Sequence, residues 1–258
     1  MTTNEPFAVF LDVDGTLTGD SFRFSQRNVN AIKKARAAGH YVFINTGRAL
    51  GNIPPELLSE FKVCDGFIAG SGTYLVWNNE VFSDVSFSKD FLRELCRYLL
   101  SRKDLWAVFE CKKSIIGLHN VPEEWGVKKF VTDENDFFTV FADEEVEVTA
   151  VGTLPPAEFD ELFGDRMRII RMRDFADCIP NGCSKDNGMK KVLQALNIPK
   201  ERSICMGDSE NDLDMFAAAG FCVAVANAAP KVLEAADMIT DSNVDDGVGK
   251  ALEKLLHL

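Results

Sequence analysis

The sequence predicts an α/β core with a parallel sheet, divided by an α+β insertion. Three observations carry that prediction. Over the first 80 residues, short β-rich runs alternate with helical patterns, which is the rhythm of βαβ units. The same rhythm returns after about residue 183. From about 83 to 182 it gives way to closely spaced alternating runs, which suit an antiparallel sheet with helices on one face. At 258 residues and 46% hydrophobic side chains, the chain can bury one large core or two modest ones.

The elements follow in order. "FAVFLDV" is an apolar run fit for a buried strand. In "SQRNVNAIKKARAAG", Val29, Ile32 and Ala35 recur at helical spacing, Ser25 is placed to cap the helix and Gly39 to end it. A strand "HYVFINT", a helix near 49–60 and a strand "DGFIAG" complete the first part. The insertion opens with an amphipathic helix over 88–102. The runs "AVFECKKSIIGLHN", "FFTVFA", "EVEVTAVG" and "MRIIRMR" read as strands, with a helix at 155–163. The final part reads as a helix over 185–197, "RSICMG", a helix over 211–219, "FCVAVA", a helix over 229–236, "DMIT" and a last helix. The expected divisions are 1–82 with 183–258 for the core and 83–182 for the insertion.

The formal net charge of −12 opposes binding to a nucleic-acid backbone or an anionic membrane, since no basic patch compensates for it. No apolar stretch approaches the roughly 20 residues that span a bilayer, and no signal pattern is present, so the cytoplasm is the expected location. Seven cysteines form no C-x-x-C pair and read as buried free thiols.

Asp12 and Asp14 flank Val13 at the end of the first strand and therefore share a direction. Ligands of parallel sheets bind beyond the carboxyl ends of strands, which suits this pair for chemistry, although Asp-Gly is also ordinary turn sequence. "FINTGR" offers the Thr46 hydroxyl and the N–H groups of Thr46 and Gly47 to an anion. "SICMGDSENDLDM" adds Asp208 and Asp212 near Asn211, and Lys185 opens a helix with a fixed positive charge. Four converging carboxylates repel one another unless a hard cation joins them, and Mg²⁺ fits oxygen ligands.

"FLDVDGTLT", "FINTGR", "CSKDNGMKKVL" and "MGDSENDLDMF" stand in the order of the four motifs of the haloacid dehalogenase superfamily, and the whole chain resembles its Cof-type phosphatase branch. That resemblance implies a Rossmann-like core with an inserted α/β cap that selects the substrate. It implies Asp12 as the nucleophile, Asp14 as general acid and base, and Mg²⁺ on Asp12, the Asp14 backbone carbonyl and Asp208. It also implies phosphate held by Val13, Thr46, Gly47, Lys185 and Asn211, with Asp212 behind the metal ligands. Ser71 departs from the pattern, since an Asn is usual in relatives. The implied activity is hydrolysis of a small phosphorylated metabolite, foremost a sugar phosphate, through an aspartyl phosphate. Pyridoxal phosphate or flavin mononucleotide as substrate, a phosphomannomutase-like mutase and a non-catalytic metabolite-binding protein are the alternatives. In the insertion, Trp106, Phe109, Trp125 and Phe130 read as core more than as a substrate platform, and Glu110, Lys112, Lys113 and His119 are candidates to face a cleft. The oligomeric state is not legible.

Overall fold

The computed structural model describes residues 5–19 and 21–258. The chain divides into two compact units, one comprising the chain through Gly47 with Pro54–Phe82 and Ser184–Leu258, the other Arg48–Ile53 with Ser83–Cys183.

The first unit begins with β1 (Ala8–Leu11), buried at every position. Helix α1 (Gln26–Ala37) starts where the Ser25 hydroxyl accepts from Asn28 N and stops before Gly39, whose φ of +91° closes the turn. There follow β2 (Tyr41–Asn45), α2 (Pro55–Glu60), β3 (Gly66–Ala69), β4 (Tyr74–Trp77) and β5 (Glu80–Asp84). The second unit holds α3 (Lys89–Ser101), β6 (Trp106–Cys111), β7 (Ile115–Leu118), β8 (Lys129–Val131), α4 (Asp136–Val140), β9 (Val146–Gly152), α5 (Ala157–Phe163), β10 (Met167–Arg171) and β11 (Phe175–Pro180). The chain then completes the first unit with α6 (Lys185–Leu196), β12 (Ser203–Gly207), α7 (Leu213–Ala218), β13 (Phe221–Ala224), α8 (Pro230–Ala235), β14 (Met238–Ile239) and α9 (Gly247–Leu255).

The larger sheet runs β14-β13-β12-β1-β2-β3-β4-β5, parallel from β14 to β3, with β4 antiparallel to β3. Its order reverses direction at β1: β2 and β3 build outward on one side, β12 and β13 on the other. The connections therefore part at the carboxyl end of β1 and open a crevice there. Asp12, Thr46 and Asp208 follow the three strands that border this point.

The sheet of the second unit runs β10-β11-β9-β6-β7-β8, antiparallel except for the β7–β8 pair. Strand alternation gives it two faces. Ala107, Phe109 and Cys111 pack with Leu92, Leu95 and Leu99 of α3, Phe137 and Phe141, and Phe159 and Phe163 of α5 in one apolar core. On the other face Val148, Ile179 and Cys183 pack around Ala49. That face also buries two carboxylates, Glu110 and Glu147. Burial raises the Glu147 carboxyl to about 7, against the Leu50 N–H and Lys112, which lower it, while Asp84 and Glu110 add to the rise. An acid whose pKa is higher in the folded chain contributes stability below its unfolded value of 4.5 that is lost as pH rises through about 7, roughly 3 kcal/mol in full. Glu147→Gln, which cannot ionise, is accordingly expected to raise the thermal midpoint over the natural chain more at pH 8 than at pH 5. Equal differences at the two pH values would contradict the assignment.

Several elements differ from their sequence reading. "FFTVFA" forms no strand: Phe137 on α4 and Phe141, which follows the helix one turn later, are both buried. The helix expected over 49–60 is split into a 3₁₀ turn at Leu50–Asn52 and α2, because Pro54 and Pro55 cannot continue a helix. The Lys112–Ser114 connection breaks the long run from Ala107 into β6 and β7. Strands β4, β5, β8 and β11 were not foreseen. Asn78 and Asn79, both at positive φ, make the tight turn between β4 and β5. All seven cysteines are buried and unpaired. Among the described residues, no helix is long and apolar enough to cross a membrane.

Candidate active site

The chain leaves β1 in an ordered turn. Asp12 N donates to Met206 O at 3.0 Å, extending the ladder one residue beyond the strand. Val13 O then receives the N–H groups of Thr16, Leu17 and Thr18 at 2.9–3.2 Å and the Thr18 hydroxyl at 3.0 Å. Gly15 is required within this turn: its φ is +78°, and a Cβ there would lie 2.3 Å from Asp208 Oδ2. The winding about Val13 leaves Asp12 almost fully buried and Asp14 exposed.

Lys185 is the first residue of α6, where Ser184 caps the helix by accepting from Asn187 N. Its Nζ lies 2.6 Å from Asp12 Oδ1, 2.6 Å from Asp212 Oδ1 and 3.4 Å from Asn211 Oδ1. The lysine is only 2% exposed. Burial alone would lower its pKa, yet the Asp12 and Asp212 carboxylates outweigh that and hold it above the usual lysine value. Asp12 is pushed well up, first by burial and then by Asp212, against the opposing pull of Lys185. Asp208, whose Oδ1 accepts from the Thr16 hydroxyl at 3.0 Å, is raised to about 6 by burial and by Asp212.

Asp12, Asp208 and Asp212 can bring one oxygen each within 4.8 Å of one another. Their capacity to bind a cation differs. Asp212 is already engaged at both oxygens: Oδ1 takes Lys185, and Oδ2 accepts from Asp208 N at 3.0 Å and Ser209 N at 3.1 Å. Asp12 and Asp208, each raised by burial and then by the Asp212 charge, are the carboxylates whose ionised forms a divalent cation would favour. The donor set of hard oxygens fits Mg²⁺.

Across the crevice, Thr46 N donates to Ile68 O at 2.9 Å and Thr46 O accepts from Ser71 N at 3.0 Å, so the loop after β2 is held to the end of β3. A Cβ on Gly47 would sit 3.6 Å from both Asn211 Nδ2 and Ser71 Oγ. Asn211 Oδ1 accepts from Ser209 Oγ at 2.7 Å, which turns the amide nitrogen toward Gly47. Thr46, Gly47, Asn211 and Ser71 therefore border one space. Ser71 holds φ +51°, a left-handed conformation that costs a serine about 1 kcal/mol more than it costs glycine.

Three residues of this region escaped the sequence reading. Asn45, fully buried, donates from Nδ2 to Lys185 O at 3.0 Å and so fixes the start of α6. Its signal was a polar side chain inside an apolar strand. Thr16 steadies Asp208, and Gly207 leaves room for Asp212, whose Oδ2 a Cβ would meet at 2.5 Å. In the second unit, Lys112 pairs with Asp84 and Glu145, Lys113 donates to Asp143 O and His119 contacts Leu99 O, so all three have local partners. Phe109 is core, whereas Phe130 is 40% exposed. Trp106 and Trp125 are half-buried and, with Phe175, line a cavity of about 600 Å³ also bordered by Arg173 and Asp174, contrary to the expectation of core.

Comparison with known proteins gives this geometry its relatives. The profile of the haloacid dehalogenase-like hydrolases matches residues 9–252. The putative phosphatase YxeH of Bacillus subtilis is 30% identical, with 96% of this chain and 97% of that protein covered. The 5-amino-6-(5-phospho-D-ribitylamino)uracil phosphatase YcsE of the same organism is 27% identical, with 95% and 93% covered. A chloroplastic endoribonuclease YBEY of Arabidopsis thaliana matches at 28% identity, but this chain spans only 45% of its length. Among solved structures, BT1666 from Bacteroides thetaiotaomicron superposes with a TM-score of 0.83 at 26% identity, covering 100% of this chain and 97% of that one. The subclass IIB sugar phosphatase BT4131 superposes with a TM-score of 0.79 at 25% identity, covering 98% and 100%. With its profile match spanning nearly the whole chain, the protein belongs to the haloacid dehalogenase-like hydrolases, in the Cof-type branch, and is an enzyme acting on phosphoric monoesters.

Proposed function

We propose that the enzyme hydrolyses small phosphate monoesters, foremost sugar phosphates, with Mg²⁺ and through an aspartyl phosphate on Asp12. The observation that carries this reading is the buried Asp12–Lys185–Asp212 chain with Asp208 beside it, at the point where the sheet order reverses. The Asp12 carboxylate attacks phosphorus, forming an O–P bond as the ester P–O bond breaks, and the departing oxygen takes its electron pair and a proton from Asp14. Water then attacks the phosphoaspartate, gives its proton to Asp14 and frees both phosphate and the Asp12 carboxylate. Lys185, Asn211, Thr46, Gly47 and the Val13 backbone bear on the phosphoryl oxygens, whose charge fixed donors stabilise better than water does. Asp12, Asp208 and the Asp14 carbonyl would hold Mg²⁺, which when bound supplies positive charge to the phosphoryl oxygens. Asp212 keeps Lys185 aimed at Asp12, and the second unit serves as the cap that selects the substrate.

The similarity to YcsE favours a second substrate reading, a phosphate ester bearing a planar ring, such as a ribitylaminouracil phosphate, pyridoxal phosphate or flavin mononucleotide. Phosphate release from a panel of sugar, polyol and ring-bearing phosphates tests both readings. Turnover is expected to vanish on thorough chelation and return with Mg²⁺. Undiminished release after chelation contradicts the metal assignment, and phosphoryl migration without free phosphate would make the enzyme a mutase.

A further inference from the structure

Ser71 stands in a conformation that its own chemistry disfavours. Gly70, Ser71 and Gly72 hold φ of +55°, +51° and +95°, so three consecutive residues are left-handed. Glycine adopts that conformation freely, whereas a Cβ at the middle position is strained. The other non-glycine residues described at positive φ are all Asn, Asp or His, the types that tolerate it best. The turn leaves the serine no relief. Ser71 N donates to Thr46 O at 3.0 Å, and Thr73 donates from N to Gly70 O and from Oγ1 to Ala69 O, both at 3.3 Å. A Cβ on Gly72 would lie 2.3 Å from Ser184 O, so the residue before α6 closes the turn from its other side. All of these groups belong to the first unit.

A third glycine would remove the strain, so what the serine adds is its hydroxyl. Among the described residues that hydroxyl has no hydrogen-bond partner, although Ser71 is only 6% exposed. Buried polar groups are nearly always paired, and strain that a fold holds in place gathers where ligands bind. The surroundings indicate which ligand. Ser71 Oγ lies 3.6 Å from the point that a Cβ on Gly47 would occupy, and Asn211 Nδ2 lies 3.6 Å from the same point. A hydroxyl and an amide nitrogen, both able to donate, thus converge beside a residue with no side chain of its own, which suits an anionic oxygen. We infer that Ser71 is a further substrate-binding residue, its hydroxyl donating to a phosphoryl oxygen beside Gly47 and Asn211. The inference rests on the proposed placement of phosphate at those two residues. It adds a donor whose position is fixed by backbone strain, on a side chain too short to swing away.

The test compares Ser71→Ala, Ser71→Gly and Asn211→Ala in the full-length enzyme with Mg²⁺. It reads inhibition by inorganic phosphate, KM and kcat for an aryl phosphate, and the thermal midpoint. Ser71→Ala keeps the Cβ and its strain but loses the hydroxyl, whereas Ser71→Gly loses both. Each is expected to raise the phosphate inhibition constant and KM about 10- to 100-fold, the scale of a hydrogen bond to a charged group. The effect on kcat should be smaller, because the phosphoryl oxygen is charged both before and during the reaction. Ser71→Gly should at the same time raise the thermal midpoint, so that binding and stability move in opposite directions, which a purely structural role would not produce. An unchanged inhibition constant in either serine variant overturns the inference: in Ser71→Ala the hydroxyl would be idle, and in Ser71→Gly the space would bind phosphate without it. A midpoint that falls together with binding in both variants returns Ser71 to a structural role. Asn211→Ala separates the layers: if it weakens phosphate while the serine variants do not, the role of Ser71 alone fails. If all three leave phosphate binding unchanged, the placement of phosphate fails and the inference falls with it.

Discussion

Asp12→Asn is expected to eliminate the phosphoenzyme and lower kcat by about 10⁵- to 10⁶-fold, the scale on which loss of a covalent nucleophile acts. The amide has the shape of the carboxylate but no anionic oxygen to attack phosphorus. Its carbonyl can still accept from Lys185, and Lys185 retains the Asp212 carboxylate at 2.6 Å, so the buried cation is not left unpaired. Folding should therefore persist, which a thermal midpoint at or above that of the natural enzyme would verify. Acid-quenched samples analysed by intact mass should show the phosphoryl adduct in the natural enzyme and none in the variant. Phosphate still found on the chain would move the nucleophile elsewhere.

Asp14→Asn should separate the two half-reactions. Asp14 is exposed, outside the buried cluster, where it is open to solvent and to a leaving group. General acid catalysis contributes roughly 10²- to 10⁴-fold, and it matters most when the departing oxygen is a poor leaving group. Phosphoenzyme formation from a sugar phosphate should lose most of that factor, whereas formation from an activated aryl phosphate should lose little. Dephosphorylation should slow for both, because the same group must then take a proton from water, so phosphoenzyme should accumulate from the aryl ester. Rapid-quench measurement of both steps provides the check. Equal losses in phosphoenzyme formation would reduce Asp14 to a positional role.

Much of the architecture was legible because its elements announce themselves locally. β1 is a continuous apolar run, and α1 carries its cap at Ser25 and its stop at Gly39. What misled was equally local. A pair of phenylalanines four apart is one helical turn, but its apolar flanks read as a strand, and two prolines cut short a helix whose remaining composition suited it. Trp106 shows the limit for single residues, since an aromatic side chain on an alternating strand is equally compatible with a core and with the wall of a cavity.

The sequence by itself determined the chemistry on offer: paired acids after a buried strand, a hydroxyl and glycine after the next, a lysine opening a helix and acids after a later strand. Only the tertiary structure decided which of them meet and in what state. Lys185 is 173 residues from Asp12, and Thr16 is 192 from Asp208. Sheet order alone brings such partners together, since nothing in the period of a strand or helix encodes a neighbour that far along the chain. Tertiary structure also divided the acids by environment. Asp212 is satisfied by a lysine and two amides, Asp12 and Asp208 are raised above the usual carboxylate range by burial and by Asp212, and Asp14 is exposed. Glu110 and Glu147, ordinary polar residues in strand sequence, are buried acceptors for the Ala49 and Leu50 amides. The physical reason is that a carboxylate's role depends on its burial and its partners, and both are properties of the folded neighbourhood.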